Sequence, residues 1–353
     1  MEITANNYDV AVIGAGPAGC EAALASARAG ARTLCLTINL DMVGFPPASP
    51  VMVEDAEDRR REMLAELASL GGQLPELLSG SSVAGTDNTE GRVLVDRRRL
   101  GLTWKELLEN EDRLFLRQAL VTALEPCPDG WKLTTRLDEN FTASAVVVAA
   151  GTFLNGRVID AEKTGPGGRW AEIPSNSLPK YLQMLGLDLV QVTARTSPRV
   201  SARGLDSRTL EGGALRRDGG GLDEFLAYGL ETGASRAGQL EALRRNDGLE
   251  NAWITRASYA VLHDALAAGQ VGEDLEVPGH PGLFFAGRAA GCCNYSEAAV
   301  LGFIAGHNAA GRCGMADAFD LTKNYKLVTR LLERIAHKKT RPVTVRVDGE
   351  TGC

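Results

Sequence analysis

The chain has 353 residues, enough for one large domain or two interleaved ones around a substantial core. A content of 44% hydrophobic and 24% charged residues excludes a disordered or fibrous class, and 40 glycines suit a turn-rich α/β protein. The net charge of −7 excludes a global basic field for nucleic acid and leaves only local patches.

Seven cysteines occur without a signal peptide or an apolar run long enough to span a membrane. The expectation is mostly free thiols in a reducing, cytoplasmic compartment, with no membrane partner. The four histidines (His263, His280, His307, His337) show no metal-ligand spacing.

The first stretch of the chain is its most informative. The apolar run Val10 to Ile13 stops at Gly14 and predicts a buried strand entering a tight turn. Gly14, Gly16 and Gly19 set a G-x-G-x-x-G spacing, Cys20 to Ala29 continues as an alanine-rich helix, and Thr33 to Leu36 is a second strand. One glycine makes the turn, one lets backbone approach a pyrophosphate, and one lets helix and strand pack closely. The phosphate then meets the N–H groups and positive dipole end of the helix. A ribose contact is open between Asp41, which lies slightly late, and Thr37 or Asn39.

Beyond Asp41 comes a proline-stiffened loop, then a helix over 53–70 whose acidic and arginine-rich start reads as a solvated face. Residues 77–91 read as a polar loop, 95–110 as a helix, 113–124 as one strand and 131–135 as another. The run Ala145 to Thr152 is a buried strand ending in Gly151-Thr152, where flavoproteins with two dinucleotide sites return the chain to the cofactor. Residues 164–169 read as a flexible loop, and 178–185 as a helix. Residues 203–251 are rich in glycine, arginine and acids with weak periodicity, which predicts an inserted subdomain or lid.

In the third informative stretch, Leu283 to Ala286 is a strand, Gly287 to Asn294 a turn, and Tyr295 to Ala310 a helix of small residues. Three such stretches favour FAD over NAD, because an NAD site needs only the first. A final amphipathic helix spans 320–337, followed by the basic cluster Lys338-Lys339-Thr340-Arg341, which suits a helix C-terminus.

Five segments resemble the MnmG/GidA family of FAD enzymes, which help install carboxymethylaminomethyl groups on wobble uridine in tRNA. They are Y-D-V-A-V-I-G-A-G-P-A-G-C-E-A-A, V-V-V-A-A-G-T-F-L-N-G, G-G-R-W-A-E-I-P-S, T-S-P-R-V and P-G-L-F-F-A-G-R-A-A-G-C-C-N-Y-S-E-A-A-V-L-G-F-I-A-G-H-N-A-A. The resemblance covers residues 8–45, 92–200 and 252–310.

It implies an α/β, Rossmann-like FAD-binding domain of the two-dinucleotide-binding flavoprotein type with a small inserted subdomain. Residues 1–200 and 252–318 form the discontinuous FAD-binding domain, 201–251 the reduced insert or lid, and 319–353 a C-terminal helix and tail. By the same resemblance Gly14, Ala15, Gly16, Pro17, Ala18 and Gly19 hold the FAD diphosphate, and backbone near Leu120 meets the adenine. Gly151, Ser175, Gly287, Arg288 and Glu297 complete the cofactor site, with Arg288 standing where the family usually has Gln. The expected electron donor is NAD(P)H or another external donor, and the expected partners are tRNA and a second copy of the chain. The alternatives are a flavin oxidoreductase acting on a small molecule or thiol, or a non-catalytic FAD-binding partner protein.

The chain also departs from the family pattern. The family cysteine beside the flavin falls where this chain reads Ala48-Ser49-Pro50-Val51, the large insert with the second cysteine has shrunk, and the helical C-terminal domain is missing. Alanine cannot stand in for a thiolate. Cys292 and Cys293 are candidate catalytic thiols instead, activated by the start of a helix; the competing reading makes them small buried residues of a tight turn.

Overall fold

A computed structural model describes residues 6–46, 51–52, 57–81, 93–160, 163–196, 198–201, 203, 215–217, 224–227, 235–245, 249–292, 294–317 and 325–337. Strand β1 (Asn7–Ile13) runs through the glycine turn into α1 (Pro17–Arg28) and returns as β2 (Thr33–Thr37). Then come β3 (Val51–Met52), α2 (Glu57–Leu70), α3 (Leu74–Ser81), β4 (Val93–Leu94), α4 (Arg97–Asn110) and β5 (Leu114–Gln118). A meander of β6 (Val121–Cys127), β7 (Gly130–Thr135) and β8 (Asn140–Val148) closes this part.

These strands share one seven-stranded sheet in the order β5-β2-β1-β8-β7-β6, and β17 (Leu283–Phe285) also joins β8. Strands β5, β2, β1, β8 and β17 run parallel, while β6 and β7 pair antiparallel. One edge of β8 serves two partners: its first half pairs with β7 and its second half with β17. Gly282 lies at that junction, at φ +80°, where a Cβ would sit 2.6 Å from the Ser144 carbonyl oxygen. The C-terminal halves of the central strands are covered on both faces, so residues 10–13 of β1 and 145–148 of β8 read as continuous apolar runs, while the start of each strand alternates.

Two smaller sheets follow. β9 (Arg157–Ile159), β10 (Thr164–Pro166), β11 (Leu189–Arg195) and β16 (Ala260–Leu266) form an antiparallel sheet in the order β10-β9-β16-β11. Helix α5 (Leu178–Met184) precedes β11. β12 (Arg199–Ser201), β13 (Leu215–Arg217), β14 (Glu224–Ala227) and β15 (Ile254–Arg256) form the third sheet. A small second core of Val200, Leu243, Leu249, Ala252 and Ile254 sits beneath α6 (Arg236–Arg244).

The chain ends in α7 (Tyr295–Arg312) and α8 (Lys326–Ala336). Helices α1 and α7 touch through small residues: a Cβ on Gly302 would sit 2.1 Å from the Ala18 carbonyl oxygen, and one on Gly306 2.2 Å from that of Ala22. Ser26 Oγ seals the crossing by donating to the Ala22 and Gly306 carbonyls at 2.8 and 2.9 Å.

Three sequence readings need correction. The polar loop expected from residue 77 begins instead as helix α3, whose first N–H groups are capped from afar by Glu21. The single strand expected over 113–124 is two strands: β5 stays beside β2, while β6 turns back to pair with β7. The flexible loop expected from 164 starts as β10, held in register against β9. The helix at 53–70 starts its described part at Glu57, and the final helix at Lys326.

Candidate functional site: the convergence of three turns

The carboxyl ends of β1, β8 and β17 meet at one edge of the main sheet. Gly14 leaves β1 at φ +105°, and a Cβ there would lie 2.4 Å from the Ala149 carbonyl oxygen at the end of β8. Gly287 leaves β17 at φ +66°, 2.8 Å from the Ala18 Cβ if it carried a Cβ of its own. The turns after all three strands are therefore in direct contact around the start of α1.

Gly19 has no room either, since its Cβ would sit 1.7 Å from the Gly14 carbonyl oxygen. Gly16 differs: a Cβ there would meet nothing within 4 Å. It is the N-cap of α1, with Pro17 in the first turn and no side chain capping the helix. Open space thus stands over an uncapped helix N-terminus, which is what an anionic diphosphate requires. Gly151, at φ +59°, likewise faces open space. The residues present fit a dinucleotide cofactor.

The remaining cofactor-site candidates are tied to the same edge. Ser175 is buried; its N–H donates to the Phe153 carbonyl at 2.9 Å and its Oγ to the Val121 carbonyl at 2.7 Å. It joins the turn after β8 to the start of β6, and its hydroxyl proton is already engaged. Leu120 precedes β6, and its carbonyl accepts the Arg136 N–H at 2.8 Å. Asn39 Oδ1 accepts the Asp41 N–H at 2.9 Å, while Asn39 Nδ2 donates to Glu172 Oε1 at 3.4 Å. Thr152 Oγ1 donates to the Gly168 carbonyl at 2.5 Å, so the 167–172 segment is fastened at Gly168 and at Glu172.

Cys292 sits in the turn before α7 but is not an activated thiol. Burial pushes it up to about 12, with Glu297 adding to the rise against Arg288 and Arg334. The expected gain from the helix start is outweighed by burial, which disfavours the charged thiolate. Cys293 lies outside the described residues, as do Ala48, Ser49 and Pro50. Burial also pushes Cys20 well up and Cys35 to about 12. Among the described residues no group of three or more His, Cys, Asp or Glu side chains could hold a metal ion.

Several residues at the site went unread in the sequence. Tyr295 is more than a packing group: its hydroxyl donates to the Gly44 carbonyl and accepts from Trp104 Nε1 at 3.0 Å. Burial holds that phenol well above its usual range, so it stays protonated. Gly44 in turn donates its N–H to the Ala15 carbonyl of the glycine loop at 2.8 Å. On β16, His263 is buried with Nδ1 3.1 Å from the Asp264 carbonyl, and burial lowers it to about 4. Burial also raises Asp264, against a hydrogen bond from the Asn155 side chain.

A parallel sheet with a glycine turn at an uncapped helix, an antiparallel meander and a last parallel strand defines the Rossmann-like FAD-binding fold of flavoproteins. Aquifex aeolicus GidA has it, at TM-score 0.88 and 24% identity over 98% of this chain and 70% of that one. Geobacillus kaustophilus glycine oxidase has it more distantly, at TM-score 0.51 and 15% identity over 90% of this chain and 97% of that one.

The family model for glucose inhibited division protein A matches residues 9–214 and 213–317, and the chain belongs to that family, GidA or MnmG. The tRNA uridine 5-carboxymethylaminomethyl modification enzyme MnmG of Bacillus licheniformis is 28% identical over 96% of this chain and 67% of its own length. That of Synechocystis is 27% identical over 95% and 66%. The chain spans about two thirds of the length of these relatives.

Proposed function

We propose that the chain binds FAD at the three converging turns and takes part in modification of tRNA uridine, as its MnmG relatives are named for doing, at the wobble position. The observation that carries the cofactor reading is Gly16, the open position over an uncapped helix between two glycines that tolerate no Cβ. The diphosphate is held by the N–H groups of the Gly14 to Gly19 loop, the ribityl and ring portions by the turns at Gly151 and at Gly287 and Arg288, and the adenine end by backbone near Leu120 beside Ser175.

Bound FAD supplies two-electron redox chemistry, with NADH or NADPH as donor. The chain contributes binding, orientation and field: the first turn of α7 points its amide dipole toward the turn of Gly287, where negative charge is stabilised. No proton or bond is assigned to Cys292, whose thiol is held neutral. We place the protein in the cytoplasm; among the described residues no helix is long and apolar enough to cross a membrane.

The test begins with anaerobic titration of the FAD-loaded protein with NADH and NADPH, following flavin absorbance. It continues with electrophoretic shift of tRNA across a salt series, and with mass spectrometry of wobble uridine in a deletion strain carrying this gene. Bleaching, a salt-sensitive shift and restored modification support the reading. A protein that takes up no FAD overturns it, and one that binds FAD without restoring modification overturns its tRNA part.

A further inference from the structure

The C-terminal helix α8 brings a cation into the site. Its apolar face, Leu327, Val328, Leu331, Leu332 and Ile335, is buried. Its N-terminus is pinned by Glu66 of α2, whose carboxylate accepts the N–H of Leu327 at 3.1 Å and of Val328 at 2.9 Å. That anchoring fixes both the height and the rotation of the helix. Two turns on, at i+7 from Leu327, Arg334 therefore falls on the same side as the buried face.

Arg334 Nη2 donates to Glu297 Oε1 at 2.5 Å, with side-chain exposures of 21% and 12%. Glu297 stands in the first turn of α7, three residues past its Asn294 cap, and Arg288 and the Cys292 thiol are within electrostatic reach of the same cluster. A buried carboxylate at this place has a cost for the site. It cancels the positive potential that the α7 N-terminus directs at the turn of Gly287 and Arg288. A guanidinium hydrogen-bonded to that carboxylate returns the field to positive and fixes the Glu297 rotamer.

We propose that Arg334 is a positioning residue of the flavin site. Through Glu297 it sets the charge and geometry of the turn that runs from Gly287 into α7, so that the site favours the reduced, anionic flavin. The α8 helix thereby makes cofactor affinity and potential depend on a segment far along the chain from the glycine loop. This rests on the FAD reading above.

The experiment compares wild type with Arg334→Met, Arg334→Lys, the double variant Arg334→Met with Glu297→Gln, and Leu331→Ala. Two quantities are measured on each FAD-loaded protein: the FAD dissociation constant by flavin fluorescence and the flavin midpoint potential by dye equilibration. Arg334→Met is expected to weaken FAD binding by about tenfold and to lower the potential, because it removes the guanidinium hydrogen-bonded to a buried carboxylate. Arg334→Lys recovers part of both losses, and the double variant recovers most.

Leu331→Ala loosens the helix while keeping the pair, so it lowers thermal stability without moving the potential. An Arg334→Met protein with wild-type affinity and potential overturns the proposal. So does a double variant no better than the single one, or a Leu331→Ala protein with the same drop in potential. A wild-type chain that takes up no FAD fails earlier and overturns the cofactor reading itself.

Discussion

Trp104 and Tyr295, 191 residues apart in sequence, are joined by a hydrogen bond from the indole Nε1 to the phenol oxygen at 3.0 Å. The phenol donates its own hydrogen bond to the Gly44 carbonyl, and the Gly44 N–H donates to the Ala15 carbonyl of the glycine loop. A helix beside β5, a helix after β17 and the loop after β2 are thus tied to the glycine loop proposed to hold the diphosphate.

Replacing Tyr295 by Phe removes both bonds and keeps the ring. The buried indole N–H and the Gly44 carbonyl lose their partner, which costs about 1–3 kcal/mol. Urea unfolding should show a lower midpoint with an unchanged slope, and FAD titration a weaker affinity, because Gly44 no longer braces Ala15. A variant with wild-type stability and affinity contradicts this account of the network.

Gly16 and Gly19 should respond in opposite ways. Gly16→Val adds a side chain in open space at a backbone conformation, φ −74° and ψ −173°, that any residue adopts. The apo protein keeps its melting temperature, while FAD affinity drops more than about tenfold, roughly 1.4 kcal/mol. Gly19→Ala drives a Cβ into the Gly14 carbonyl and costs the fold about 3 kcal/mol or more. Calorimetry with and without FAD separates the two.

The elements legible in the sequence are those whose cause is local. The β1–α1–β2 unit announces itself through an apolar run and a glycine spacing, and β17 with α7 does the same through a strand, a glycine turn and small residues. What stayed illegible depends on distant partners. The α3 helix buries Leu74, Leu77 and Leu78, but its first N–H groups are capped by Glu21, 52 and 53 residues back, and Gly80 near its end favours a loop reading. β10 has only three residues and exists because β9 pairs with it. At the site, the glycine positions were readable, whereas the Tyr295 hydroxyl and the Arg334 partner were not, since neither bond has a periodic signature. For Cys292 the sequence left an activated thiol and a buried turn residue both open, because a helix start lowers a thiol only if the thiol is exposed there, and burial is a tertiary property; the structure buries it.

Cys292 should therefore be slow to alkylate. At pH 8 a thiol held near 12 is almost wholly protonated, so iodoacetamide labelling in the native state should lag far behind labelling in urea. Cys292→Ser should retain bound flavin and its reduction by the nicotinamide donor. Rapid native labelling at this position, or loss of flavin reduction in the variant, would restore the thiol as a chemical participant.

Two buried titrating groups should leave opposed marks on stability against pH. Burial raises Glu21 from 4.5 to about 7, against the N–H bonds from Gln73 and Leu74 and the charge of Arg28. Between those values the folded state holds a proton that the unfolded state has lost, so stability falls as pH rises. Burial lowers His263 from 6.5 to about 4, so over that interval the unfolded state holds the extra proton and stability rises with pH. Each effect is worth about 3 kcal/mol in full, and from 4.5 to 6.5 the two oppose each other. Wild-type urea midpoints should therefore be nearly level across that window. Glu21→Gln should expose the rising histidine slope, and His263→Phe the falling glutamate slope. If both variants stay as level as wild type, neither group has the shifted affinity that its burial implies.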